Sequence, residues 1–427
     1  MRRWIDGGGC DHPEVVAGLL STAWGVPIPP AVIWPEARSG GPQVPAYLQA
    51  WVPARTLEEL GIFLRSDMLT RRALLAAAIE ATTGSTLTDP LLRWLDLGQN
   101  GLAAVDPASR SGRINLGAVN AVERAIQHCV ASDTAVGGGL SREAALGQLK
   151  WAVDLLDESS YDARPATGCW PPSPKLSGEI GYMSHDAGMN GPAQRYFVYG
   201  LQAARESTDE RAPLVVVAIL GDMVRQLRTL GDLAGAERLI EVALAQLPND
   251  QAFHSVRAML WSVKGRVLAG MGASRSTEAC AAIDLAFELS ADATSVQPPE
   301  WLGSVFYYLG EPELRSHASD AYLDLAPHRP ELAAKAEAQA VDALHGWDIA
   351  FVRERGYSLI DLTRARFAQG ELEQACNDGR SAIEMTAQVP SSMRLRAYLS
   401  TLESESAPYR GEKAVDEFRD ELRLALV

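Results

Sequence analysis

The sequence predicts an all-α protein, most of it a stack of helical hairpins. Two observations carry this expectation. From about residue 91 onward Ala, Leu, Glu, Arg and Gln dominate and alternating β-branched runs are missing, a composition that loses little side-chain freedom in a helix. A glycine followed five residues later by an alanine also recurs, at Gly188 and Ala193, Gly231 and Ala236, and Gly370 and Ala375.

Residues 1–55 read as short helical pieces cut by Gly7, Gly8 and Gly9, by Pro27, Pro29 and Pro30, and by the Ser39-Gly40-Gly41-Pro42 run, because prolines this dense break helices. Thr56-Leu57-Glu58-Glu59 has the form of a capping box, in which threonine and glutamate satisfy orphan backbone donors. It predicts a connecting helix over 56–82, within a segment reaching residue 90. A helical region over 91–175 then leads into repeats over 176–427. Val215-Val216-Val217 is the one strand-like run, but Leu214, Val217, Ala218, Gly221, Val224 and Leu227 are spaced as one helical face. Glycines predict a loop at 136–140 and prolines another at 164–174.

The repetition has a physical reading. A turn glycine tolerates positive φ, and a small alanine early in the next helix lets two antiparallel helices approach closely. Leu230-Gly231-Asp232-Leu233 and Gln369-Gly370-Glu371-Leu372 repeat the same turn chemistry, with an acid where the helix dipole favours it. Less regular copies are expected near 270–272 and 310–312. Gly188, Gly231, Gly272 and Gly310 are spaced 43, 41 and 38 residues apart, slightly more than the roughly 34 of a tetratricopeptide (TPR) unit. Degenerate TPR-like hairpins are the expectation, and an irregular bundle the alternative.

The formal charge of −15 argues against a protein whose whole surface grips nucleic acid, which would need clustered Lys and Arg. Residues 1–113 carry 10 basic and 11 acidic residues, so residues 114–427 hold net −14. Cys10, Cys129, Cys169, Cys280 and Cys376 lie tens of residues apart without a CxxC pair, which implies neither a zinc set nor a disulfide framework. No apolar run approaches the roughly 20 residues that span a bilayer. Thr70-Arg71-Arg72-Ala73-Leu74-Leu75 imitates an export signal but sits far from the N-terminus. A cytoplasmic protein with no membrane partner is expected.

No phosphate-cradling loop, metal-binding HExxH or nucleophile elbow occurs. Neither an enzyme, a metal site nor a cofactor is therefore expected. Cys10, Asp11 and His12 read as a solvated glycine-rich loop, and His185 and Asp186 as capping residues at a hairpin turn. Trp34, Trp94, Trp151, Trp261, Trp301 and Trp347 sit mostly among Leu, Val or Ile and read as packing residues.

Residues 181–209, GYMSHDAGMNGPAQRYFVYGLQAARESTD, resemble the recurrent hairpin of actinomycete helix-turn-helix regulators with a long TPR-like C-terminal region, a family that includes negative regulators of sporulation and antibiotic production. Residues 66–75 and 133–140 are similar to it as well, so the resemblance covers nearly the whole chain. It implies that Met1-Arg2-Arg3-Trp4-Ile5-Asp6-Gly7 is the end of a recognition helix. Residues 1–55 would then be a helix-turn-helix remnant and linker, with Arg2, Arg3 and Trp4 as the DNA-facing residues. Such a helix reads bases only when earlier helices hold it in the major groove, so DNA is expected as a partner only through a complete N-terminal helix-turn-helix. The implied function is a homodimeric transcriptional regulator that senses a peptide, small molecule or protein in its helical groove. The alternative is a stand-alone protein-binding adaptor without direct DNA contact.

Overall fold

A computed structural model describes residues 46–48, 56–69, 79–96, 116–158, 173–207, 209, 211–306 and 309–426. Among them all regular structure is helical and no strand occurs. After a 3-10 turn at Ala46–Leu48 come α1 (Thr56–Leu69), α2 (Ser85–Asp96), α3 (Leu116–Val136) and α4 (Gly138–Glu158). Helices α5 (Ser173–Asp186), α6 (Asn190–Glu206), α7 (Ala212–Thr229), α8 (Leu233–Gln246), α9 (His254–Gly270) and α10 (Ser276–Ala293) follow. The chain continues through α11 (Leu302–Val305), α12 (Glu311–Leu325), α13 (Glu331–Gly346), α14 (Val352–Gln369) and α15 (Leu372–Ala387). It ends in α16 (Met393–Leu399), α17 (Thr401–Glu405) and α18 (Lys413–Leu426).

Consecutive helices pack in pairs: α5 with α6, α7 with α8, α9 with α10, α12 with α13 and α14 with α15. The turns after α5, α7 and α14 are built alike. Gly188, Gly231 and Gly370 all have φ of +78°. The residue after each donates its N–H five positions back, Met189 to Ser184 at 2.8 Å, Asp232 to Leu227 at 2.9 Å and Glu371 to Arg366 at 2.9 Å. This is the left-handed helix ending that only glycine adopts without strain. Ala193, Ala236 and Ala375 are fully buried in the first turn of the following helices. Only Asp232 caps with its side chain, accepting from the Gly235 N–H at 2.9 Å, whereas Glu371 and Met189 make no such bond. The less regular copies differ from these and from one another: Gly272 has φ +88° but ψ −162°, whereas Gly310 is extended at φ −172° ahead of α12.

The first helices of the pairs form an inner layer, with α5 against α7, α7 against α9, α9 against α12, α12 against α14 and α14 against α16. This layer closes on itself, because α16 returns to α5 and α14 to α3. Burial of Leu220, Val263, Ile283, Ala318, Phe367 and Phe418 marks the course of the core behind the layer, and α18 covers its end by inserting Val415, Phe418 and Leu422.

Several local expectations are corrected. The connecting helix is described over Thr56–Leu69 as α1, and residues 80–83 are not helical. There the Gln194 side chain takes both backbone groups of Thr82, accepting at 2.6 Å and donating at 2.7 Å, and a tertiary partner replaces the helical ones. Helix α2 runs through the expected division at residue 90 with Pro90 inside it. The loop at 136–140 is a single residue, Gly137 at φ +85°, because Gly138 starts α4 directly against the Met183 backbone, where a Cβ would lie 2.5 Å from the carbonyl oxygen. Trp151 is 42% exposed and so is no core residue. Trp347 is buried against the Phe351 ring, and Trp261 and Trp301 are partly buried against the core. Trp34 and residues 1–45 lie outside the described residues.

Candidate functional site

The closed inner layer surrounds a cavity of about 550 Å³, within the range of small-ligand sites. Its lining repeats at helical spacing: Asp222, Arg225 and Thr229 on α7, Glu313, His317 and Asp320 on α12, and Arg353, Tyr357 and Asp361 on α14. The first helix of each pair therefore turns its polar stripe inward while its opposite stripe packs on the second helix.

One end of the cavity is organised by Asp320. Arg228 Nη2 lies 2.8 Å from its carboxylate, Arg266 Nη2 2.7 Å and Arg364 Nη1 3.4 Å. Tyr398 Oη donates to Asp320 at 2.9 Å and also contacts Asp361. Burial opposes ionisation of Asp320, but the surrounding guanidiniums hold its carboxyl far below the usual range. Asp361 is pushed the other way, up to about 8, by burial and by the Asp320 charge. Like charges at close range cannot both ionise cheaply, and the proton settles on the carboxyl with fewer cations.

The other end is the closure itself. Arg353 Nη2 lies 2.9 Å from Asp133 on α3 and 2.9 Å from Glu354, and Nη1 lies 3.3 Å from Asp186. Arg394 Nη2 donates to the Tyr182 hydroxyl at 2.8 Å and Nε to the Tyr357 hydroxyl at 2.9 Å. Asp186 accepts from Ser392 Oγ at 2.8 Å and from the Gly138 N–H at 3.1 Å, and Ser391 Oγ donates to the Val136 carbonyl at 2.6 Å. Burial opposes ionisation of Asp186, but Arg353 and Arg394 outweigh it and lower its pKa. Asp133, sharing Arg353 with two other carboxylates, is raised to about 7, chiefly by burial.

Two histidines line the cavity and stay neutral near neutral pH, because burial lowers His185 to about 3 and His317 to about 4. His317 stands between Ser262 Oγ at 2.8 Å from Nδ1 and Glu313 at 3.0 Å from Nε2. The order resembles a nucleophile–base–acid relay. Ser262, however, is buried within α9 and also donates to the Met259 carbonyl at 2.7 Å. In this geometry it holds the imidazole for the cavity wall and does not present a nucleophile. Among the described residues no cluster of metal ligands occurs, and no helix is long and apolar enough to cross a membrane.

Of the residues singled out from sequence, Gly188 touches the cavity rim, and the other turn glycines and small alanines are structural. Arg2, Arg3 and Trp4 lie outside the described residues. His185 and Asp186 are corrected: they do not cap a loop but stand buried at the end of α5, where His185 faces the cavity and Asp186 anchors the closure. The arginines and tyrosines of the site were missed altogether. The only sequence signal for them was polar residues at core spacing, such as Arg225 and Asp222 inside an apolar helix. Comparison of the chain with family models, with curated proteins and with solved structures gave no match, and no family is assigned on that ground.

Proposed function

We propose that the chain is the sensor region of a transcriptional regulator, a TPR-like hairpin solenoid whose closed inner layer receives a small ligand. The observation that supports it most is the cavity of about 550 Å³ lined by five arginines, several carboxylates and two neutral histidines. Burying so many charges costs folding energy that an apolar interior would not, which points to recognition as their purpose. The closure shares residues with the cavity wall, so a ligand that favours one arrangement of α3 and α5 against α14 and α16 would shift the population of open and closed rings. That change would pass to DNA-reading units through the dimer. A protein-binding adaptor has less support, since the inner surface that would hold a partner segment is engaged in ring closure.

Thermal melts of the purified protein with a low-molecular-weight extract of the producing cells test the reading. A rise in Tm that disappears in Ala397→Trp, which fills the cavity from an exposed lining position, is the expected result. No rise with any fraction, or one that Ala397→Trp leaves intact, would remove the cavity from the function. For the regulatory part, a version carrying a complete helix-turn-helix ahead of residue 1 should bind its operator with an affinity that the active fraction changes.

A further inference from the structure

We propose that the Asp320 end of the cavity is a subsite for the carboxylate group of a small ligand, received by Arg228 and Arg266. The inference rests on the receptor reading above and names the chemistry that the receptor holds. Arg228 on α7 and Arg266 on α9 both line the cavity, and each keeps 21% of its side chain accessible. Their Nη2 atoms lie 2.8 and 2.7 Å from the same oxygen, Asp320 Oδ2, so the two guanidiniums stand side by side in one wall.

A guanidinium carries five N–H donors in a rigid plane, and Asp320 takes only part of each set. Arg266 turns Nε and Nη2 toward Asp320, both at 2.7 Å, and its Nη1 donates to no described residue. Arg228 places Nη2 between Asp320 and Asp324, at 2.8 Å from each, and its Nε and Nη1 likewise donate to no described residue. These three nitrogens are not sealed from solvent. Asp320 is itself buried and also accepts from the Tyr398 hydroxyl at 2.9 Å. One buried carboxylate thus grips both guanidiniums and fixes their orientation, while donors on their other edges stay open. A pre-organised site is built this way, with the group that meets the ligand held in place by a partner that does not.

Donors without acceptors call for a ligand that brings oxygens, whereas an ammonium would set its hydrogens against those of the guanidiniums. Among acceptors, the planar carboxylate matches a guanidinium edge and makes charge-assisted bonds roughly twice as strong as neutral ones. The charge of the wall limits what the ligand brings. Of the charged groups lining this wall, Arg225, Arg228 and Arg266 stand against Asp222, Glu313 and Asp320, and Asp361, pushed up to about 8, holds a proton near neutral pH. Behind the lining Arg364 meets Asp324, and its second partner Glu405 reaches solvent, where its charge is screened. A wall balanced in this way takes up a single negative charge at less cost than the roughly two of a phosphate monoester. The cavity of about 550 Å³ leaves room beyond the carboxylate for a body of small-metabolite size.

The test is isothermal titration of the 427-residue protein with three probes at constant ionic strength: a mixed pool of small monocarboxylic acids, the pool of their primary amides, and inorganic phosphate. The acid pool should bind roughly tenfold tighter than the amide pool, and phosphate should not displace it. Arg266→Lys keeps the charge but loses the planar edge, so it should weaken the acid pool about tenfold. The contrast of acids with amides is read on wild-type protein alone and does not depend on that variant folding. The cell extract gives a second readout: its Tm shift should vanish once its carboxyls are coupled to methylamine and persist after phosphatase treatment. Equal binding of acids and amides, tighter binding of phosphate, or an extract shift that outlasts the coupling would overturn the subsite and leave the receptor reading intact. If neither the extract nor the acid pool gives a response, the receptor reading falls with it.

Discussion

The two ends of the cavity are built from the same residue types in inverted ratio. At one end a single carboxylate, Asp320, is shared by Arg228, Arg266 and Arg364. At the other a single guanidinium, Arg353, is shared by Asp133, Asp186 and Glu354. Three guanidiniums hold Asp320 ionised at any ordinary pH, whereas burial, with Asp186 and Glu354 beside it on the same guanidinium, raises Asp133 to about 7. The partners differ in sequence distance as well. Asp320 on α12 ties the flanking α9 and α14 and, one helix further along the layer, α7, while Arg353 ties α14 back to α3 and α5. Each end holds one carboxyl that titrates near neutral pH, Asp361 at the first and Asp133 at the second, but only the second end joins the two ends of the layer.

The largest effect that would break this comparison belongs to Asp320. Replacing it by Asn takes the shared partner from the buried Arg364 and the partly buried Arg228 and Arg266, and a loss of about 3 kcal/mol in urea unfolding is expected. A cost below about 1 kcal/mol would show that Asp324 and Asp361 substitute for it. Next comes Gly137→Ala. At φ +85° an alanine is strained, and its Cβ would fall 2.8 Å from Ser391 Oγ and 2.9 Å from Val389 Cγ1. We expect a cost of about 2 kcal/mol together with faster proteolysis of the closure. Proteolysis unchanged from wild type would mean that the ring does not depend on this contact.

The pH dependence draws on both ends. Asp133 at about 7 and Asp361 at about 8 bind their protons more tightly folded than unfolded, so the stability they contribute at low pH is lost as pH rises through those values. His185 and His317, lowered to about 3 and about 4, act oppositely, but their effect is complete once pH exceeds the ordinary histidine value of about 6.5. Stability should therefore fall between about pH 6.5 and 8.5, by on the order of 1 kcal/mol per carboxyl. Asp133→Asn should flatten the curve, whereas a profile as steep as wild type would assign the loss elsewhere. The smallest effect is expected outside the ring, where the exposed pair of Arg380 and Glu421 at 2.7 Å should show a coupling of about 0 to 1 kcal/mol in a double-mutant cycle.

Much of the helical layout was legible because its causes are local. Gly231 and Gly370 announce their turns through the residues beside them, and Ala236 and Ala375 lie one helical turn further on. The site was not legible for the opposite reason. Asp186 and Arg353 are 167 residues apart, and nothing near either one reveals the other. The local reading of His185 and Asp186 as caps followed from their place at the end of α5, and only the return of α16 replaces solvent with Ser392 and Arg394. Residues 80–83 failed similarly, because Gln194, more than a hundred residues on, takes the backbone groups of Thr82.

The sequence by itself determined the all-α class and the left-handed glycine turns after α5, α7 and α14, since backbone sterics and helix propensity act within a few residues. Only the tertiary structure decided that the inner helices close into a ring, that their polar stripes enclose a cavity, and that one carboxylate is over-supplied with cations while one guanidinium is over-supplied with acids. Those outcomes depend on how each helical pair packs on the next, which is a sum over the whole array and not a property of any one segment.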